Sequence, residues 1–307
     1  MRFKENFAIA GIFVAVIGVV FGALLVFHPG RTTNQVTSKT EPTHVQAATL
    51  TALGDSLTYG TGDPTNAGGY VSRIKTKEQK AHQIKLTTHN EGKAGDRSDQ
   101  IDTRLLQTPS IQKNVRTANV ITLTVGGNDL LQTLMAHSSM SADSDVTQTI
   151  AKNRQQYQTR LTKLMRDIRH YNPNAPIFVF SIYNPLYVYF ANVSAISTAV
   201  SEWNSTTQAV LNQQSNTHFV SIDRQLSHGQ YQTTSEQQKL VAQDKRENSG
   251  TVNLSEVEAA AQKNQNTERN TYLSTTDHFH PNSKGYDVMA NQLFQAMSKH
   301  DAWSIKK

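Results

Sequence analysis

The sequence predicts an α/β protein, a single three-layer domain on a five-stranded, mostly parallel sheet flanked by helices. Three observations point there. Five short apolar segments recur along the chain, and Gly, Pro or Asn residues punctuate most of them. Between them run stretches whose apolar residues fall at three-, four- and seven-residue steps, the spacing of a helix with one buried face. A 37% hydrophobic share of 307 residues fills one sizeable core and is too low for a polytopic membrane protein.

The chain begins with something other than this domain. Residues 1–6 read as a short cytoplasmic N-terminus, and Phe7 to Phe27 is a twenty-one-residue run without a charge. At 1.5 Å per residue such a helix covers the roughly 30 Å hydrocarbon core of a bilayer. Arg2 and Lys4 precede it, so the positive-inside rule leaves the N-terminus in the cytoplasm and exports the rest. Cleavage of a signal peptide at Val45-Gln46-Ala47 is the competing reading, and it would release a secreted protein. That site lies about twenty residues beyond the apolar run, farther than a signal peptide places it. Residues 28–47, rich in Pro, Thr, Ser, Asn and Gln, form a tether. Residues 48–307 then form the domain.

Within it, strands are expected at 48–53, 84–88, 120–125, 177–183 and 219–222. The second is expected to stop at Asn90-Glu91-Gly92, and the third at Gly126-Gly127. The best helical pattern covers Val146 to Tyr171 through Ile150, Tyr157, Leu161, Leu164 and Ile168. A closing helix follows Pro281, with Val288, Met289, Leu293, Phe294 and Met297 on its apolar face. The polar stretch from Arg224 to Thr276 shows no motif.

Composition removes several function classes. Without any cysteine there is no disulfide scaffold, thiolate zinc site, cysteine nucleophile or lipidated-cysteine anchor. The net charge of +6 is spread out, with no run of five Lys/Arg, so no nucleic-acid partner is expected.

Ligands of parallel sheets bind at the carboxyl ends of the strands, and the informative residues stand there. After the first strand comes Gly54-Asp55-Ser56-Leu57-Thr58, which places a serine like a nucleophile. It also reads as an ordinary helix N-cap, and Thr58 breaks the G-x-S-x-G elbow. After the second comes Asn90 through Ser98, with Gly95-Asp96-Arg97 inside it, and after the third Gly126-Gly127-Asn128-Asp129. Either segment also reads as a turn or cap. Near the C-terminus, Asp277-His278-Phe279-His280-Pro281 sets a carboxylate three residues before an imidazole, close enough for one turn to join them. The rival reading of His278 and His280 as metal ligands lacks further ligands nearby.

Taken in order, Gly54-Asp55-Ser56-Leu57, Asn90…Gly95-Asp96, Gly126-Gly127-Asn128-Asp129 and Asp277-x-x-His280-Pro281 resemble the four blocks of the GDSL/SGNH hydrolase family. The likeness spans about residues 50–297 and is strongest to membrane-anchored bacterial lipases and acylhydrolases of the lysophospholipase-like kind. Arg97 departs from the small polar residue often found in the second block. The resemblance implies a flavodoxin-like SGNH fold and an extracytoplasmic serine esterase acting on a small-molecule or lipid ester without metal or organic cofactor. It implies Ser56 as nucleophile, His280 as general base and acid, and Asp277 as its orienting carboxylate. It also implies an oxyanion hole formed by Ser56, Gly95 and Asn128. An O-deacetylase of cell-wall glycans is the alternative within esterases. Outside them stand a catalytically silent surface-binding module and a flavodoxin-like cofactor binder; the latter lacks G-x-G-x-x-G and a P-loop lysine. Tyr187 and Tyr189, in the aromatic run from Tyr183 to Phe190, are candidates for lining an acyl trough.

Overall fold

The computed structural model describes residues 44–136, 143–247 and 268–305. Five strands, β1 (Ala47–Gly54), β2 (Lys85–Gly92), β3 (Val120–Thr124), β4 (Ile177–Phe180) and β5 (Thr217–Val220), form one sheet in the order β2-β1-β3-β4-β5. All four pairings are parallel, so "mostly parallel" becomes wholly parallel. Side chains alternate between the faces, as the two-residue strand period requires. Leu53, Ile121, Leu123, Ile177 and Val179 pack against helices Ser98–Gln107, Asp143–Tyr171 and Ser194–Leu211. Leu50, Ala52, Val120, Phe178 and Phe180 pack against helices Gly69–His82 and Ser283–Lys299. Both faces are covered, which explains why the central strands β3 and β4 are buried along their whole length, while edge strand β2 is polar and partly exposed.

The expected strand edges shift for local reasons. The chain beyond Asn90 stays in β2 because the register with β1 runs on through Ala52↔Asn90, Leu53↔Glu91 and Gly54↔Gly92. At the other edge, β4 ends at Phe180 rather than 183, and β5 ends at Val220 rather than 222. Polar side chains close the ladder there: Ser181 Oγ accepts from the Ile222 and Asp223 N–H groups, and Asn204 Oδ1 accepts from Ile182 N–H. The domain also starts earlier than residue 48. Val45 N–H donates to Ser304 O, His44 bridges Ile305, and Ala47 already pairs with Lys85.

The expected cytoplasmic end, membrane helix at 7–27 and most of the tether lie outside the described residues. Among the described residues no helix is long and apolar enough to cross a membrane.

From β1 the sheet grows outward to β2 on one side and to β3 on the other, so the strand order reverses between β1 and β3. A crevice opens at the carboxyl ends beside such a reversal. The β2 end is packed tightly against it. A methyl group on Gly92 would sit 2.1 Å from Tyr59 N and 2.6 Å from the Thr58 carbonyl carbon, both backbone atoms that cannot step aside alone. Gly92→Ala is therefore expected to lower unfolding free energy by about 1–3 kcal/mol, the usual cost of overpacking, as measured by urea denaturation.

Candidate active site

Ser56 opens a one-turn helix, Ser56–Tyr59, directly after β1. The turn into it requires glycine at position 54, where φ is +152° and a Cβ would lie 2.3 Å from Thr124 Oγ1. Asp55 caps the helix, its Oδ1 accepting from Leu57 N–H (3.0 Å) and from the Thr124 hydroxyl (2.7 Å). Thr58 and Tyr70 hydroxyls continue this buried chain, so β1 and β3 hold the turn between them. Burial pushes the Asp55 carboxyl above its ordinary pKa, against the opposing hydrogen bond from Thr124. As the first helical residue, Ser56 has a backbone N–H with no intrahelical acceptor.

The C-terminal segment meets this serine. His280 Nε2 lies 2.8 Å from Ser56 Oγ, and His280 Nδ1 lies 2.7 Å from Asp277 Oδ2. The other Asp277 oxygen accepts from the backbone N–H groups of Phe279 and His280, both at 3.0 Å. Burial acts to raise the Asp277 pKa, but the His280 imidazole and the two N–H donors outweigh it and hold the carboxyl below its usual range. Asp277 therefore stays ionised at neutral pH. Asn282 fixes the start of the next helix by accepting from Lys284 and Gly285 N–H, which anchors the segment just behind His280.

Two further loops face the serine's turn. Gly95 adopts φ +84°, and a Cβ there would meet nothing within 4 Å, so its peptide borders open space. Asn128 Nδ2 donates to Asp96 O at 2.9 Å, which aligns the side chain and leaves its second amide proton for another acceptor. Asp129 is buried and accepts from both the backbone N–H (2.9 Å) and hydroxyl (2.7 Å) of Ser98, tying the Asn128 loop to the Gly95 loop. Burial holds its carboxyl above the ordinary range, against the Ser98 hydrogen bonds.

Arg104, which the sequence reading missed, joins three loop ends. It bonds Asp96 Oδ2 (2.5 Å), Glu91 O (3.0 Å) and Gly54 O (3.0 Å). Arg97, the departure from the second block, turns outward to Asp99 and to Gln132 Oε1.

A cavity of about 40 Å³ lies at the serine, lined by Ser56, Leu57, Asn128, Ile182, Tyr183 and Phe279 among others. Gly95 is not among its lining residues. Nor are Tyr187 and Tyr189, so the expected trough is replaced by other contacts. The Tyr187 ring packs on His228 at 4.3 Å, and Tyr189 donates its hydroxyl proton to Glu268 Oε1. From that aromatic run, Tyr183 alone reaches the cavity, and its hydroxyl donates to Phe279 O at 2.6 Å. The alternative metal pair does not assemble. His278 turns to Glu268 while His280 is held between Asp277 and Ser56. Among the described residues no group of three or more His, Asp or Glu is arranged to hold a metal ion.

The chain is also similar to known proteins. The family model of the GDSL-like lipase/acylhydrolases matches residues 50–293. The chain is 26% identical over 251 residues to the uncharacterised protein YpmR of Bacillus subtilis, covering 81% of each. It is 30% identical over 135 residues to the spore germination lipase LipC of Bacillus licheniformis, covering 44% of this chain and 63% of that one. Among solved structures, the lipase Lip_vut3 from a goat rumen metagenome superposes with a TM-score of 0.56 at 23% identity, over 81% of this chain and 97% of the other. The acetylxylan esterase Axe2 of Geobacillus stearothermophilus gives 0.50 at 14% identity, over 81% and 94%.

Proposed function

The chain belongs to the GDSL lipase/acylhydrolase family and is a carboxylic ester hydrolase, and from that premise we propose that Ser56, His280 and Asp277 carry out its chemistry outside the cytoplasm. The observation that carries the proposal is the continuous line Asp277–His280–Ser56, with contacts of 2.7 and 2.8 Å.

In this reading Ser56 Oγ attacks the ester carbonyl while His280 Nε2 takes its proton. The Asp277 carboxylate holds the proton on Nδ1 and stabilises the imidazolium that forms. Collapse of the tetrahedral intermediate breaks the bond to the alkoxy oxygen, which receives the proton back from Nε2. Water, activated by the same imidazole, then cleaves the acyl-serine and releases the acid. The oxyanion accepts hydrogen bonds from the Ser56 and Gly95 backbone N–H groups and from the free Asn128 amide proton. The apolar run at residues 7–27, with Arg2 and Lys4 before it, supports a membrane anchor with the domain outside.

Both ester classes raised by the sequence remain chemically open to this triad, the lysophospholipid and the acetylated glycan. The cavity's size supports the second. At about 40 Å³ it takes a few water-sized groups, whereas pockets that enclose drug-sized ligands run to roughly 300–1,000 Å³. A panel of p-nitrophenyl esters from acetate to palmitate, run beside a lysophospholipid and an acetylated oligosaccharide, tests this. We expect the highest kcat/KM to be reached already at acetate or butyrate and not to rise further toward palmitate, because methylenes left outside the cavity gain none of the roughly 0.8 kcal/mol each that burial would supply. A maximum at long chains, or rapid turnover of the lysophospholipid alone, would return the assignment to a lysophospholipase.

A further inference from the structure

His278 lies between Asp277 and His280, yet it faces the opposite way. Its side chain is 6% exposed, and it packs against a Glu268 carboxylate that is 4% exposed, with Nδ1 2.5 Å from Oε2. The other Glu268 oxygen accepts from the Tyr189 hydroxyl (2.8 Å) and from Asn270 N–H (2.6 Å). Arg269 closes the group, donating its backbone N–H to Tyr189 Oη at 3.1 Å and laying its guanidinium 5.5 Å from the ring centre. His278 Nε2 is buried without a hydrogen-bond partner, so the ring is held from its Nδ1 side, by the carboxylate and by Tyr189, whose hydroxyl lies 3.5 Å from Nδ1 and whose ring meets it edge-on.

The backbone at His278 has φ +55°, one of four non-glycine residues in the left-handed region among those described. Residues other than glycine are uncommon in that region, although histidine enters it more readily than most, so contacts that hold the ring help to hold the turn. The turn it makes has a direct consequence for the triad. It curls the chain so that Asp277 Oδ1 meets the N–H groups of Phe279 and His280, leaving Oδ2 aimed at His280 Nδ1.

We propose that the buried Glu268–His278 pair, buttressed by Tyr189, is a clasp that positions the catalytic Asp277 and His280 by holding His278 in its left-handed turn. The proposal rests on the triad assigned above. Glu268 and Tyr189 touch neither substrate nor reacting atoms; they are positioning residues. The clasp gives Tyr189 a role in place of the acyl trough, and it gives the Arg224–Thr276 stretch a link to catalysis. Release of the ring lets residue 278 relax to ordinary φ, which swings Asp277 off the imidazole. A displacement of about 1 Å is enough to cost up to 10²-fold in rate.

The test compares Glu268→Ala, Glu268→Gln, His278→Ala and His278→Gly with the unaltered protein. Three quantities are read: kcat and KM on p-nitrophenyl acetate, the rate constant of Ser56 labelling by a fluorophosphonate, and the thermal midpoint. Glu268→Ala is expected to lower kcat and the labelling rate about tenfold or more with KM within twofold. Glu268→Gln, whose amide oxygen still accepts from Nδ1–H, is expected to recover most of that loss. His278→Gly should exceed His278→Ala in both rates, because glycine takes the left-handed turn without strain. Normal kcat and labelling in Glu268→Ala would overturn the clasp, whether or not the thermal midpoint falls. So would equal rates in the two His278 variants. Failure of the triad itself looks different: the unaltered protein would then not be labelled at all.

Discussion

Ser56→Ala is expected to take ester hydrolysis into the assay background, a fall of roughly 10⁶-fold in kcat of the size seen when a serine nucleophile is removed from such a triad. No other hydroxyl of the described residues lies within hydrogen-bonding distance of His280 Nε2, so no second nucleophile stands ready to take over. The protein should stay folded. The Ser56 hydroxyl makes one side-chain contact, to His280, and the turn itself is built by Gly54, Asp55, Thr58 and Thr124. Loss of one hydrogen bond costs about 1 kcal/mol, so urea unfolding should move little. Mass spectrometry after fluorophosphonate treatment should find the adduct on Ser56 in the unaltered chain and none in the variant. Hydrolysis surviving at even a tenth of the original rate would remove Ser56 from the nucleophile's role.

The centre of the sheet was readable because β3 and β4 are buried on both faces. Ile177 to Phe180 is apolar throughout, Val120 to Val125 interrupts its apolar run only with the buried Thr122 and Thr124, and glycine or proline stands at their ends. The edges were less readable because they depend on partners distant in sequence. Asn90-Glu91-Gly92 has the composition of a turn, yet it remains strand because β1 offers a register and Arg104 takes the Glu91 carbonyl. Ser181 and Asn204 end the other edge with side-chain hydrogen bonds that no local pattern announces.

The same division holds at the site. Ser56, Gly95, Asn128, Asp277 and His280, the proposed site, each follow a strand or precede a helix in a short pattern, so their neighbours in sequence single them out. Arg104 and Glu268 sit inside ordinary polar helix and loop composition, and their partners are Gly54 O, fifty positions away, and Tyr189, seventy-nine away. Only folding makes them part of the site. Tyr187 and Tyr189 show the converse: density of aromatic residues marked the right loop but not which ring faces the cavity. Tyr183 does, and one loop turn carries the others to His228 and Glu268.

Asn128→Ala separates transition-state stabilisation from substrate binding. The Asn128 amide has two protons; one goes to Asp96 O at 2.9 Å, and the second is the proposed donor to the oxyanion. A donor that strengthens its bond only as charge develops contributes to kcat and not to ground-state affinity. We expect kcat on p-nitrophenyl acetate to fall by roughly 10²–10³, equivalent to about 2.7–4 kcal/mol of barrier, with KM within about threefold. The variant also loses the bond to Asp96 O, and that loss should appear separately as about 1 kcal/mol of unfolding free energy. The loop does not depend on that bond alone, since Asp129 still accepts from Ser98 N–H and hydroxyl. The Ser56–His280 contact lies on another segment, so the fluorophosphonate should still label Ser56. A rise in KM at constant kcat would make Asn128 a substrate-binding residue, leaving the oxyanion to the two backbone N–H groups.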